Sequence, residues 1–251
     1  MINAREVEQW LDRLYIAAEG AGLRREDRRK ALEVAAMLEE IERAVRRFSG
    51  RSALVLVDAA AGKSYVGLLA AKLVLEAGRH RASVITIERD ARRVELSLQA
   101  LGRLATSIPV ECRISDVESV EAWPQEVSLV TALHACGPAA DAVIHRTIAA
   151  KARQLLLVPC CTSDAMPPAK SARAKAEALG IPRHAPVRRR FIQAMVDAQR
   201  TWRLEAAGYE TEVVEFVPPT ITPHNLLWRA RRVGEPRRMQ AAQAALEKFV
   251  E

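Results

Sequence analysis

A chain of 251 residues, 49% hydrophobic and 27% charged, has enough apolar side chains for one sizeable core and too many for an intrinsically disordered chain. No apolar run reaches the roughly 18 residues of a membrane span, which excludes a helical membrane protein. The opening MINAREVEQW has no apolar h-region, so no secretory leader is expected and the expected compartment is the cytoplasm.

In chain order, residues 1–48 predict two helices. Val7, Trp10, Leu11 and Leu14 repeat at helical spacing, as do Val34, Leu38, Ile41, Val45 and Phe48, with Gly20 and Gly22 breaking the chain between them. The pattern changes at Ser49-Gly50. The continuous apolar run from Ala53 to Val57, ending at Asp58, predicts a strand buried on both faces. A helix over 63–77 follows, with Gly78 at its end. The spacing then predicts a strand over 82–87 ending at Glu88, and a helix to about Leu104 capped by Asp90. Further strands are expected over 110–114 and 128–133, the first ending near Asp116 and the second at His134. Pro138 opens a helix to about Ala152. A fifth strand over 154–158 runs into Pro159-Cys160-Cys161.

Five strand–helix units in series imply a parallel sheet covered on both faces. The ending departs from that repeat. Helices around 169–179 and 191–207 lead to strands over 209–217 and 225–231. Only a short loop joins these two, so they must run antiparallel. The expected organisation is a helical extension over 1–49, an α/β domain over 50–233 and a C-terminal helix over 234–251.

The formal net charge of +7 is unevenly placed. Residues 169–203 carry nine Lys or Arg against two acids, whereas the first 50 residues balance and 204–227 are acidic. Arg188, Arg189 and Arg190 form the densest run. Such a face favours a polyanionic partner such as RNA; a solvated arginine-rich surface accounts for the same count.

The candidate chemistry sits at strand ends. Asp58-Ala-Ala-Ala-Gly62-Lys63 is a small-residue turn between the first strand and its helix. There a ligand can approach the backbone and the free N–H groups of a helix start, which makes Ala60, Gly62 and Lys63 candidate ligand contacts. The Walker A spacing is absent. Glu88 is placed to accept both hydroxyls of a ribose, and Asp116 to accept from an adenine amino group. Ligands bind at this edge of an open α/β sheet. Leu133-His134-Ala-Cys136-Gly137 and Pro159-Cys160-Cys161 follow neighbouring strands, so His134 and these cysteines should share a crevice. Two adjacent cysteines suit an ordinary disulfide poorly and no CxxC pair occurs, so all four cysteines are expected as reduced thiols without a metal.

Asp58-Ala-Ala-Ala-Gly-Lys-Ser64, Leu-His-Ala-Cys-Gly137 with Asp141 beyond it, Pro-Cys-Cys161 and Thr222-Pro-His-Asn225 together resemble class I methyltransferase domains. Five parallel units closed by an antiparallel pair is also that class's layout. Within it, the chain is similar to a methyltransferase-like group related to "ribosomal RNA adenine dimethylase domain-containing" proteins. It is similar too to eukaryotic tRNA 2′-O-methyltransferases and to the glutathione S-transferase C-terminal domain-containing protein. The resemblance spans about residues 51–232 and leaves the N-terminal helices and the tail outside. Thr162-Ser-Asp164 stands where the tRNA branch places a histidine. The resemblance implies S-adenosylmethionine as cofactor, held by Asp58, Gly62, Glu88 and Asp116. It also implies a pocket role for His134, Cys136, Cys160 and Cys161, and places Asn225 on the substrate side.

Three readings follow. The first is an RNA methyltransferase with His134 as general base. The second is a covalent cytosine-C5 mechanism with Cys160 or Cys161 as the attacking thiolate. The third is a binding module without catalysis, suggested by Ala60 and Ser64 where glycine is common.

Overall fold

The expected alternation of strands and helices folds into one seven-stranded sheet. The computed structural model describes residues 2–17, 20–48, 53–162 and 166–250; the expected boundary at Ser49-Gly50 lies outside them. The first helix, α1 (Ala4–Leu11), continues as a π-helical turn over Asp12–Ile16, and α2 spans Arg25–Val45. Then come β1 (Leu54–Ala59), α3 (Tyr65–Leu69, prolonged as a π-helix over Ala70–Glu76), β2 (Ala82–Glu88), α4 (Ala91–Leu104) and β3 (Val110–Ile114). The second half holds β4 (Leu129–Cys136), α5 (Pro138–Ala149), β5 (Gln154–Cys161), α6 (Pro167–Ala178) and α7 (Pro186–Ala206). It closes with β6 (Tyr209–Glu215), β7 (Leu226–Arg232) and α8 (Pro236–Val250).

The strand order is β3-β2-β1-β4-β5-β7-β6. β1 to β5 pair in parallel, and β7 runs antiparallel to both β5 and β6. This is the fold class expected from the sequence. Strand side chains alternate between two cores, as the two-residue period of a strand requires. Leu54, Leu56, Leu156 and Val158 face the layer built by α1 to α4, whereas Val57, Ala59, Leu155 and Leu157 face α5 and α7.

The helix starts follow local chemistry. Asp90 Oδ1 accepts from Arg92 N at 2.9 Å and Arg93 N at 3.3 Å, capping α4. Pro167 and Pro186 start α6 and α7 two and five residues before the apolar periodicity does, because a proline at the first helical position forfeits no intrahelical bond. Arg188–Arg190 therefore lie in the first two turns of α7.

The N-terminal helices share the core of the sheet. Gln154 Nε2 of β5 donates to Ala44 O of α2 at 3.2 Å. Arg229 of β7 holds buried Glu40 of α2 through two 2.8 Å hydrogen bonds, the bidentate geometry an arginine favours. At the other end, α8 sets Phe249 edge-on to Trp202 of α7, centroids 6.0 Å apart. No helix among the described residues is long and apolar enough to cross a membrane.

Candidate active site

The strand order reverses between β1 and β4, so a crevice opens beyond their carboxyl ends. Ala60, Ala61, Gly62, Lys63, Leu133 and His134 line a cleft of about 310 Å³ there, closed on its far side by Lys30 and Val34 of α2 and by Arg93 of α4. Its volume lies within the range of small-molecule sites.

The turn after β1 explains why glycine is common in it. Ala60, Gly62 and Ser64 all have positive φ, at 53°, 60° and 56°. Left-handed backbone costs a non-glycine residue about 1–2 kcal/mol, so Ala60 and Ser64 hold strain that glycine would not. The turn is tied internally: Ala61 N donates to Ile87 O at 3.0 Å and Ser64 N to Ala61 O at 2.8 Å. A Cβ added at Gly62 would meet nothing within 4 Å, so the turn faces open space. Ser64 Oγ is buried and has no partner among the described residues.

Two acids hold this turn from beneath. Asp58 Oδ2 accepts from Gly67 N at 2.9 Å and Oδ1 from Thr131 Oγ1 at 3.4 Å. Burial pushes the Asp58 carboxyl up to about 7, although these hydrogen bonds favour its charged form. Glu88 accepts from Gly62 N at 2.8 Å and from Asp90 N at 3.0 Å, joining the turn to the start of α4. The Tyr15 hydroxyl donates to Lys63 O at 2.7 Å, so the N-terminal segment also pins the turn.

His134 reaches the cleft through a bulge. The β4–β5 register shifts between Leu133 and Ala135, and His134 itself has φ 61°. Such a bulge re-aims a side chain and commonly adjoins functional sites. Pro159 of β5 sits opposite this irregularity, where the lack of an N–H breaks no regular ladder. His134 Nε2 contacts the Glu33 carboxylate of α2, while Nδ1 is buried without a partner among the described residues.

The sulfurs of Cys136 and Cys160 lie 3.4 and 3.5 Å from His134 O, as their strand ends predict. They are bonded to each other, with Cα atoms 5.3 Å apart. This corrects the expectation of four reduced thiols. The adjacency argument concerned Cys160 and Cys161, whereas the pairing runs across β4 and β5. In this state Cys160 has no thiolate for a covalent mechanism. The Cys161 side chain lies outside the described residues. Cys112 is free and away from the cleft lining.

Other expected contacts fall elsewhere. Asp116 is exposed and accepts from Glu118 N at 2.9 Å, shaping its own turn. Arg188 is buried, donating to Ile181 O at 3.1 Å and to Glu177 at 2.9 Å, which corrects its expected place on a substrate face. Arg189 and Arg190 are exposed, with no ion pair among the described residues. Asn225 is buried and donates to Val217 O at 3.0 Å, closing the β6–β7 loop instead of facing a substrate. Arg200 and Arg203 meet Asp141, so part of the basic stretch is internal structure. Among the described residues no cluster of three His, Cys, Asp or Glu could hold a metal.

Sequence reasoning passed over Glu33, Lys30, Tyr15 and Arg93. A signal existed for Glu33 and Glu40: both interrupt the apolar face of α2, where an unpaired carboxylate would be costly.

A family model described as a methyltransferase domain matches residues 29–166, more than half of the chain. The match takes in most of α2, which the resemblance read from sequence left outside. No curated protein matches the chain. Among solved structures, the magnesium protoporphyrin IX methyltransferase of Synechocystis PCC 6803 with bound S-adenosylhomocysteine superposes at TM-score 0.50 and 13% identity, covering 92% of this chain and 100% of that one. An S-adenosylhomocysteine-bound methyltransferase of Podospora anserina gives 0.52 and 11%, covering 92% and 87%. A putative RNA methyltransferase of Pyrococcus horikoshii gives 0.50 and 15%, covering 93% and 100%. The likeness to these three is one of fold.

Proposed function

The chain belongs to the methyltransferase domain family and is an S-adenosylmethionine-dependent enzyme; from that membership we propose that it methylates RNA at an oxygen or nitrogen, with His134 as the base. The residues at the β1 turn fit the cofactor. The orphaned Ser64 Oγ and the open space above Gly62 offer a hydroxyl and room to a carboxylate. Ala60, Gly62, Lys63 and Ser64 would hold the cofactor's amino-acid end, and Glu88 its ribose hydroxyls. When bound, the cofactor supplies an electrophilic methyl group on a sulfonium.

The chain's own task is to place the acceptor, exclude water and receive a proton. Orientation alone is worth on the order of 7–11 kcal/mol in favourable cases. His134 lines the cleft, and its buried Nδ1, without a partner among the described residues, is the ring nitrogen left to take the proton. The single observation carrying the RNA reading is the charge of the cleft lining. Lys30, Lys63 and Arg93, from three different segments, line it. Arg89 and Arg92 stand exposed on the β2–α4 segment beside Arg93. Cations converging on the reaction crevice suit a phosphate backbone. Arg189 and Arg190 would extend that track. In this reading 50–233 carries the transfer, 1–49 supplies one wall of the acceptor side, and 234–251 buttresses α7.

The test is transfer of tritiated methyl from S-adenosylmethionine into total RNA, total protein and a small-molecule extract, run side by side. Label is expected in RNA, with transfer falling steeply as salt rises. Label confined to protein or small molecules would refute the RNA reading while leaving methyl transfer intact.

A further inference from the structure

The face of α2 that meets the sheet is apolar at Val34, Met37, Leu38 and Ile41, all fully buried. Glu33 stands in the same buried layer with 7% of its surface exposed. A carboxylate so placed is costly unless a cation or a proton donor meets it. Glu40, one position type along, is met by Arg229 and Arg43. Glu33 is met by His134 Nε2.

His134 is held for that meeting from its own side. Its backbone is left-handed within the β4 bulge, the conformation that turns the ring toward α2. The two ring nitrogens then have different surroundings: Nε2 faces a carboxylate, whereas Nδ1 faces no partner among the described residues. A carboxylate accepts and does not donate, so it draws the ring proton to Nε2. The lone pair is thereby left on Nδ1.

We propose that Glu33 is the positioning residue of the methyl-transfer site: it fixes His134 as the Nε2–H tautomer, so that Nδ1 is the proton acceptor. This rests on the reading of His134 as base. In the step it serves, the acceptor's O–H or N–H bond breaks and an Nδ1–H bond forms. The positive charge gained by the imidazole lies beside the Glu33 carboxylate, which stabilises it. Glu33 touches neither acceptor nor methyl group and acts only through His134. The pairing also gives α2 a role in the chemistry, because Lys30, Glu33 and Val34 share one face of that helix and Lys30 and Val34 line the cleft.

The tautomer can be read without any substrate. In the full chain labelled with ¹⁵N-histidine, His134→Gln identifies the His134 signals among the five histidines. At a pH where the ring is neutral, the wild type should show a protonated Nε2 and a bare Nδ1. Glu33→Leu, which offers the ring no acceptor, should lose that fixed tautomer, and Glu33→Asp should keep it in part. A bare Nε2 in the wild type, or a tautomer unchanged in Glu33→Leu, would overturn the proposal. The wild-type reading decides even where Glu33→Leu fails to fold. Once RNA labelling is established, Glu33→Leu should lower turnover by about 10²–10⁴-fold, the usual loss for a disabled base, with S-adenosylmethionine affinity retained. Failure of RNA labelling with the tautomer intact counts against the RNA reading alone.

Discussion

Replacing Ser64 by glycine should stabilise the protein and weaken its hold on the cofactor. Ser64 is 1% exposed, has φ 56° and carries a buried hydroxyl without a partner among the described residues. Glycine removes about 1–2 kcal/mol of left-handed strain. It also removes an unsatisfied buried hydroxyl, a group that costs about 1–3 kcal/mol. Against this stands the greater freedom of glycine in the unfolded chain, about 0.5–1 kcal/mol. Ser64 makes no side-chain cap to α3, so no capping bond is lost. The net expectation is a gain of about 1–4 kcal/mol, or a rise of about 2–4 °C in Tm per kcal/mol for a chain of this size. Ser64→Ala is the control: it removes the hydroxyl but keeps the strain, so it should gain less. Urea denaturation of the ligand-free protein measures both. Calorimetric titration with S-adenosylmethionine should show weaker binding for both variants, because the hydroxyl is then missing from the cradle. A Ser64→Gly variant less stable than wild type by more than about 1 kcal/mol would refute the assignment of strain and orphaned polarity to this residue.

Three further outcomes follow from the same geometry. The folded-state pKa of Asp58 is raised to about 7 by burial, so its contribution to stability is full below its ordinary value near 4 and is lost as pH rises towards 7. Asp58→Asn keeps an acceptor for Gly67 N, so its stability relative to wild type should rise between pH 5 and 8, by at most about 4 kcal/mol; parallel denaturation curves across that range would remove the buried charge from the account. Gly67→Ala should destabilise by about 1–3 kcal/mol in urea, because the new Cβ would lie 2.8 Å from Thr86 Cγ2 and 3.0 Å from Asp58 Oδ2, and an unchanged midpoint would show that α3 is not pressed on β1 and β2. Arg188→Gln should lower Tm through its lost bonds to Ile181 and Glu177, whereas Arg189→Gln with Arg190→Gln should leave Tm in place and lower RNA affinity and its salt slope; identical behaviour in both assays would mean that burial does not separate these arginines.

The parts of the molecule legible in sequence are those fixed by local pattern. The five βα units could be read because a two-sided sheet needs continuous apolar strands and each strand ends in a polar residue at the ligand edge. The antiparallel closure could be read because seven residues of loop leave no room for a helix. Asp58, Gly62, Glu88 and His134 could be placed at one edge of the sheet because a strand end is a place in the fold as well as in the sequence. The basic stretch was read less well. A count of charges does not say which of them face inward, and Arg188, Arg200 and Arg203 meet acids across helix contacts that no local pattern reveals. The disulfide escaped for the same reason, since Cys136 and Cys160 meet through the pairing of two strands rather than through their spacing.

Glu33 shows where a sharper reading was possible. Its partner lies 101 residues away and could not have been named from sequence. Its own position could have been questioned. On the stripe Lys30, Glu33, Val34, Met37, Leu38, Glu40, Ile41, two carboxylates stand among side chains bound for the core, and each requires an explanation in charge. Glu40 is explained by Arg229, a cation the fold brings to it with both guanidinium bonds formed, and that pair reads as architecture. Glu33 meets no such cation among the described residues. It meets a ring whose charge depends on its protonation, at a strained bulge, beside the cleft beyond β1 and β4. A helix needing only to pack would be served by an apolar residue there. On the proposal made above, the carboxylate at Glu33 offsets that cost through the ring proton it holds at Nε2.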